Sequence, residues 1–209
     1  NKIYLAELLQ NHHIRVPKTL IVHRDNIKKV GTTIGFPCIL KEPDSAFSLG
    51  VKKAKTSSEL LDQLENMWQK SDLVIAQEFL PTDFDWRIGI IDKTPIFACK
   101  YHMAKDHWQI TKNQAKGGPL DGKVESIELS HVPEDVINTA LKAANLIGGS
   151  LYGVDIKHEN NKCYVIEIND NPNIDCGYED KELGMKLYST IMQVFRDRIE
   201  KRKLKNQTS

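Results

Sequence analysis

The chain has 209 residues, 40% of them hydrophobic, and 29 lysines and arginines stand against 28 acids for a net charge of +1. This is enough to bury the core of one large or two small domains, and the balanced charge excludes a whole-molecule field that would recruit nucleic acid or a membrane surface; only the closing "RDRIEKRKLKNQTS" is locally basic. No run approaches the ~18 apolar residues that a bilayer demands, and Cys38, Cys99, Cys163 and Cys176 lie far apart without CxxC spacing, which argues against a disulfide framework and a zinc motif and points to a reducing, cytoplasmic setting.

In chain order, "IYLAELLQNHH" has helical apolar spacing, and Pro17 then breaks it before the β-branched run "TLIV". "NIKKVGTTIG" predicts a short helix closed by Gly35, and the apolar "PCILK" a strand. Thr56 with Glu59 forms a capping box ahead of the amphipathic "LLDQLENMWQK", and "LVIAQEFL" reads as a buried strand. From Asp85 onward, "DWRIGIIDKTPIFACKYHM" predicts an antiparallel hairpin turning at Asp92 and Lys93. Residues 104–122 are expected to form a long polar loop, "PEDVINTALKAANLIGG" a helix, and residues 181–204 a terminal helix. The expected class is α+β, rich in antiparallel sheet, with lobes over residues 1–80 and 81–209. The first residue is Asn rather than Met, so the chain is expected to be a piece of a longer protein.

The stretch "GVDIKHENNKCYVIEINDNPN" (153–173) holds the most informative pattern. Val154 and Ile156 share one parity, as do Tyr164, Ile166 and Ile168, while Asp155, Lys157, Glu167 and Asn169 take the other. Both apolar sets reach one face only if the connecting loop has an odd number of residues; a two-residue turn at Asn160 and Asn161 would put Asp155 and Glu167 on opposite faces. With the odd loop, two carboxylates lie opposite each other, which is destabilising unless a positive charge sits between them. Oxygen donors of this kind suit Mg2+ or Mn2+. A solvated polar face with Lys157 neutralising one acid fits the pattern equally well.

A weakly coordinated magnesium implies phosphate, and Lys41, at the end of "PCIL", is the best cationic candidate, followed by a loop with Ser45, Ser48 and Gly50 whose backbone could cradle an anion. A snorkelling surface lysine also fits Lys41. "QEFL" before Pro81 leaves a sheet with backbone groups suited to an adenine edge, and Asp83 or Asp85 could accept ribose hydroxyls; an acidic interlobe linker accounts for the same residues.

The order of Asn1-Lys2, "ILKEPDSAFSLGV", "QEFL", "DWR", "GVDI" and "VIEINDNPN" resembles the ATP-grasp superfamily, and more closely its RimK-type glutamate ligases, over residues 1 to about 195. The resemblance implies two α+β lobes enclosing ATP and a further domain upstream of residue 1. It assigns Lys2, Lys41 and Ser48 to the phosphates, Glu78, Phe79 and Leu80 to adenine, Asp85 to ribose, and Asp155, Glu167 and Asn169 to two Mg2+ or Mn2+ ions. Two departures stand out: the loop after Lys41 has Ser45, Ala46, Phe47 and Ser48 before Gly50, and position 153 is Gly where some members carry Arg. Arg87, Lys100 and Lys157 are therefore expected to supply the missing positive charge, Arg87 and Lys100 acting catalytically on the transferring phosphoryl group.

The implied chemistry is ATP-dependent carboxylate–amine ligation through an acylphosphate, with a carboxylate substrate and an amine acceptor as partners. His102 and His107 are candidates for orienting the acceptor. A nucleotide-binding regulatory module without ligation and an ATP-grasp kinase are the competing readings, and a homo-oligomer is left open.

Overall fold

The computed structural model describes residues 1–45, 50–112 and 120–207. Helix α1 (Lys2–Asn11) leads through β1 (Thr19–Val22), α2 (Lys28–Thr33), β2 (Cys38–Lys41), β3 (Val51–Ala54) and α3 (Ser57–Met67) to β4 (Val74–Glu78). A second part follows with β5 (Phe84–Ile91), β6 (Thr94–His102), β7 (Thr111–Lys112), β8 (Leu120–Asp121), β9 (Val124–Ile127), a 3-10 turn at Leu129–His131, α4 (Glu134–Ile147), β10 (Leu151–Glu159), β11 (Lys162–Asn169) and α5 (Met185–Gln207).

The smaller sheet runs β1-β4-β2-β3, every neighbouring pair antiparallel. Period-two alternation gives it two different faces. Cys38, Leu40, Val74 and Ala76 pack under α2 and α3 against Val30, Leu60, Leu64 and Met67. Ile39, Lys41, Val51 and Gln77 point the other way, into a cleft. Thr56 caps α3 by accepting from the Glu59 N–H at 3.2 Å, and Glu59 reaches back to the Lys55 N–H at 2.7 Å. The returning carboxylate thus serves the residue before the cap.

The larger sheet runs β11-β10-β5-β6-β9, again antiparallel throughout. One face carries Trp86, Ile88, Ile90, Val154, Ile156 and Val165 against Val136, Ala140, Ala143 and Ala144 of α4. At one end of the opposite face, Ile91, Phe97 and Cys99 meet Leu187 and Ile191 of α5. The remainder of that face opens onto the cleft. Gly89 lies opposite Phe97, and a Cβ there would come within 2.1 Å of the Phe97 ring, so only glycine lets that ring lie across the strand. The β5–β6 hairpin turns at Asp92 and Lys93, both with positive φ, as expected for a two-residue turn that matches strand twist.

Helix α1 precedes the small sheet in sequence but packs on the large one, with Leu9 in the core beneath α4 and the Val165 N–H donating to the Arg15 carbonyl at 2.9 Å. Its N-terminus is capped by Asn1, whose amide also donates to Asp44 Oδ1 at 2.8 Å, while the Lys2 N–H donates to the Pro43 carbonyl at 3.0 Å. The helix therefore links the large sheet to the loop after β2. Within residues 104–122, expected to be one loop, the two short strands β7 and β8 pair with each other. Strand β9, unforeseen in the sequence, edges the large sheet.

Candidate active site

The hairpin β10–β11 reaches the expected pairing by an unexpected route. Its connection is the two-residue turn Asn160–Asn161, both residues at positive φ, and Glu159 pairs with Lys162. Alternation alone would then separate the acids. A bulge restores them: Asp155 lies opposite Glu167 while Ile156 lies opposite Val165, so Ile166 is the extra residue. Consequently Cys163 and Val165, rather than Tyr164 and Ile166, face the core, and Ile166 faces the cleft with Glu167. The odd loop is thus corrected to an even turn plus one bulged residue.

The cleft between the sheets measures about 1040 Å³. Lys2, Lys41, Glu78, Phe79, Leu80, Asp85, Arg87, Asp155, Glu167 and Asn169, all singled out from the sequence, line it. Ser48 lies outside the described residues. Lys100 does not join them. It pairs with Trp86 on the opposite face of the sheet, where its Nζ sits 5.1 Å from the Trp86 ring centroid and 4.9 Å from that of Phe84. A strand residue one position from Cys99 and Tyr101 must point away from theirs, so the catalytic role expected for Lys100 is withdrawn. Lys100→Met is expected to leave nucleotide binding unchanged and to lower the unfolding free energy by about 0.5–1 kcal/mol, the worth of such a cation–ring contact; chemical denaturation beside a nucleotide titration checks both. His102 and His107 also lie off the cleft lining, His102 beside Glu125 at 3.3 Å and His107 beside Gln109 at 3.2 Å.

Inside the cleft, acids and bases alternate as compensated pairs. Arg87 grips Asp155 with both prongs, Nε to Oδ1 at 2.7 Å and Nη2 to Oδ2 at 2.9 Å. Lys157 Nζ donates to Asp85 Oδ1 and to Thr82 Oγ1, each at 2.6 Å. Lys2 Nζ lies 3.3 Å from Glu167 Oε1 and also donates to the Ser45 carbonyl. The positive charge demanded between facing carboxylates is therefore provided by the chain itself. Burial would lower the Arg87 pKa, but Asp155, then Glu179 and Glu167, outweigh it and raise it above the ordinary guanidinium value. Burial pushes the Asp85 pKa upward, against the opposing pull of Lys157. Lys41 is 9% exposed, and burial lowers its pKa to about 8, the attraction of Glu167 opposing and the repulsion of Lys2 assisting.

Gly153 lets Pro172 pack against β10: a Cβ at 153 would lie 2.8 Å from Pro172 Cβ, closer than real contacts allow, while Arg87 Cδ at 3.7 Å would be in ordinary contact. Sequence reasoning missed Tyr101 and Glu179. Arg87 stacks over the Tyr101 ring at 4.4 Å, and the Tyr101 hydroxyl donates to Glu179, which is 2% exposed and also accepts from the Asp175 N–H at 2.8 Å. Nothing in the acidic run "YEDKE" marks one of its acids as buried. Elsewhere in the cleft lining, Phe79 meets Trp108 edge-on at 6.2 Å, with Lys53 Nζ 3.3 Å from the Phe79 ring centroid.

The profile of the RimK-like ATP-grasp domain matches residues 1–195. This chain belongs to the RimK-like ATP-grasp family. Among curated proteins, this ATP-grasp chain is 29% identical over 181 residues to the alpha-aminoadipate–LysW ligase LysX of Saccharolobus solfataricus, covering 82% of the chain and 62% of the relative. It is 27% identical over 198 residues to a probable alpha-L-glutamate ligase of Vibrio vulnificus, covering 91% and 62%. The chain thus spans about three-fifths of the length of these relatives. The ATP-grasp fold is also that of D-alanine–D-alanine ligase from Bacillus anthracis, with a TM-score of 0.73 at 19% identity over 94% of this chain and 67% of that one. The ATP-grasp ligase PsnB bound to precursor peptide PsnA2 and AMPPNP aligns with a TM-score of 0.62 at 22% identity, covering 86% and 52%. Among the described residues, no helix is long and apolar enough to cross a membrane.

Proposed function

We propose that this chain is the nucleotide-binding and catalytic part of an ATP-dependent carboxylate–amine ligase, its lobes meeting near residue 80. The observation that carries this reading is the convergence in one cleft of Lys2 and Lys41 with the Arg87–Asp155–Glu167 cluster, drawn from both sheets and from α1. Lys41 and Lys2 face the polyphosphate; Glu78, Phe79 and Leu80 border the adenine; Asp85, held by Lys157, sits at the ribose. Asp155, Glu167 and Asn169 offer oxygen donors from facing strands, a donor set that would suit Mg2+ or Mn2+. Bound there, such ions would neutralise charge on the phosphates.

A substrate carboxylate oxygen attacks the γ-phosphorus and ADP departs, leaving an acylphosphate; an amine nitrogen then attacks the acyl carbon, phosphate departs, and the amine proton passes to solvent. The protein's part is placement and charge compensation. Lys2 and Arg87 hold positive charge at one end of the cleft, and Arg87 keeps its orientation through Asp155 and Tyr101. The test is product analysis in the full-length protein: ADP and free phosphate appear together only when both a carboxylate and an amine are supplied. Phosphate retained on an acceptor hydroxyl would make it a kinase, and saturable ATP binding without any product would leave a regulatory module.

Lys41 supplies a pH test. Its charged form attracts phosphate, so ATP affinity is full below about pH 8 and declines above it by up to about tenfold per unit. The contribution to stability has the opposite sign: the unfolded chain binds this proton up to about 10.5, so stability rises between about pH 8 and 10.5. Titration calorimetry across this range checks the slope, and Lys41→Met should flatten it.

A further inference from the structure

The hairpin that presents acids to the cleft carries a different group of side chains on its other face. His158 of β10 and Cys163 of β11 are register partners, and Asp135 reaches them from the first turn of α4. One ligand atom from each lies within 4.8 Å of the others. Asp135 is already oriented: its Oδ1 accepts from the Val136 N–H at 3.0 Å, which leaves Oδ2 3.1 Å from His158 Nε2 and 3.3 Å from Cys163 Sγ. A four-coordinate shell with metal–nitrogen and metal–oxygen bonds near 2.0–2.2 Å and metal–sulfur near 2.3 Å has ligand-to-ligand edges of about 3.3–3.6 Å. The two measured edges fall within a few tenths of that.

A second observation points the same way. His158 Nε2 is shielded from solvent yet makes no hydrogen bond, although Asp135 Oδ2 lies 3.1 Å away. A buried ring nitrogen without a partner is costly, and a metal ion would satisfy it. We propose that Asp135, His158 and Cys163 bind a thiophilic divalent ion of the Zn2+ class, with a further position open on the exposed Asp135 side. Thiolate and imidazole ligands disfavour Mg2+, so this site differs in kind from the all-oxygen set in the cleft. The widely spaced cysteines made a zinc motif improbable in the sequence, and the cluster arises instead from hairpin register and the docking of α4. Binding balances in charge: neutral His158, the Asp135 carboxylate and the Cys163 thiolate neutralise the dication, and the thiol proton is released to solvent. An ion here would clip α4 to the strands that carry Asp155 and Glu167.

Cobalt titration of the whole chain in a Cys176→Ser background, which removes the one exposed thiol, tests this. A near-ultraviolet thiolate-to-cobalt band should saturate at one equivalent, with one proton released per ion, and Zn2+ should displace it. His158→Gln and Cys163→Ser should abolish the band, whereas Asp155→Asn with Glu167→Gln should retain it. Should Cys163→Ser fail to fold, Asp135→Asn and His158→Gln, verified by circular dichroism, decide the matter. Absence of the band in the folded parent, or its survival in His158→Gln, overturns the site. Neither result depends on nucleotide binding.

Discussion

Arg87→Ala is expected to destabilise the protein by about 3–5 kcal/mol, because truncating one partner of a buried ion pair leaves the other charge uncompensated. The side chains of Arg87 and Asp155 are 13% and 14% exposed, so solvent screens little of this cost. Asp155 loses two hydrogen bonds at once, and Glu179 and Glu167 lose the same neighbouring charge. In the proposed ligase, ADP formation should disappear while ATP still binds through the Lys41 end of the cleft. A double variant separates the two effects. Arg87→Ala combined with Asp155→Asn removes the orphaned charge and should recover most of the lost stability without recovering turnover. Denaturant midpoints and ADP release measure them independently; a wild-type midpoint for Arg87→Ala would show that the pair contributes nothing to the fold.

Glu167→Gln is expected to behave in the opposite sense. Its carboxylate is 37% exposed and its lysine partner lies at 3.3 Å, so the pair is screened and its loss should cost under about 1 kcal/mol. Turnover, by contrast, should fall by about two to three orders of magnitude, the scale set by removing one charge-stabilising group from an active site. Measuring Mn2+ binding with nucleotide present distinguishes this from a local packing fault: the amide should weaken the ion and leave the midpoint in place. Unaltered ion affinity would remove Glu167 from the proposed donor set.

Much of the fold was legible because its signals are local. The Thr56 cap and the turns at Asp92–Lys93 and Gly35 depend on a few adjacent residues, and each appears where the pattern put it, whereas α1 ends at Asn11, ahead of Pro17, and Glu59 returns to the Lys55 N–H rather than to that of Thr56. Site residues on the cleft faces were legible for a related reason, since a charged residue in an apolar strand needs a purpose. What could not be read was set by distant contacts. A bulge at Ile166 costs one pairing and changes no composition, so alternation could predict that Asp155 meets Glu167 but not how. Lys100 has the right charge and the wrong parity, and its face is fixed only by the pairing with Trp86. The burial of Glu179 depends on Tyr101, far away in sequence.

Because the first helix rests its body on the large sheet and its tip on the loop after β2, it works as a strut between the jaws. Lys2, next to that tip, reaches Glu167 of β11 and the Ser45 carbonyl together, so the position of its ammonium depends on both parts at once.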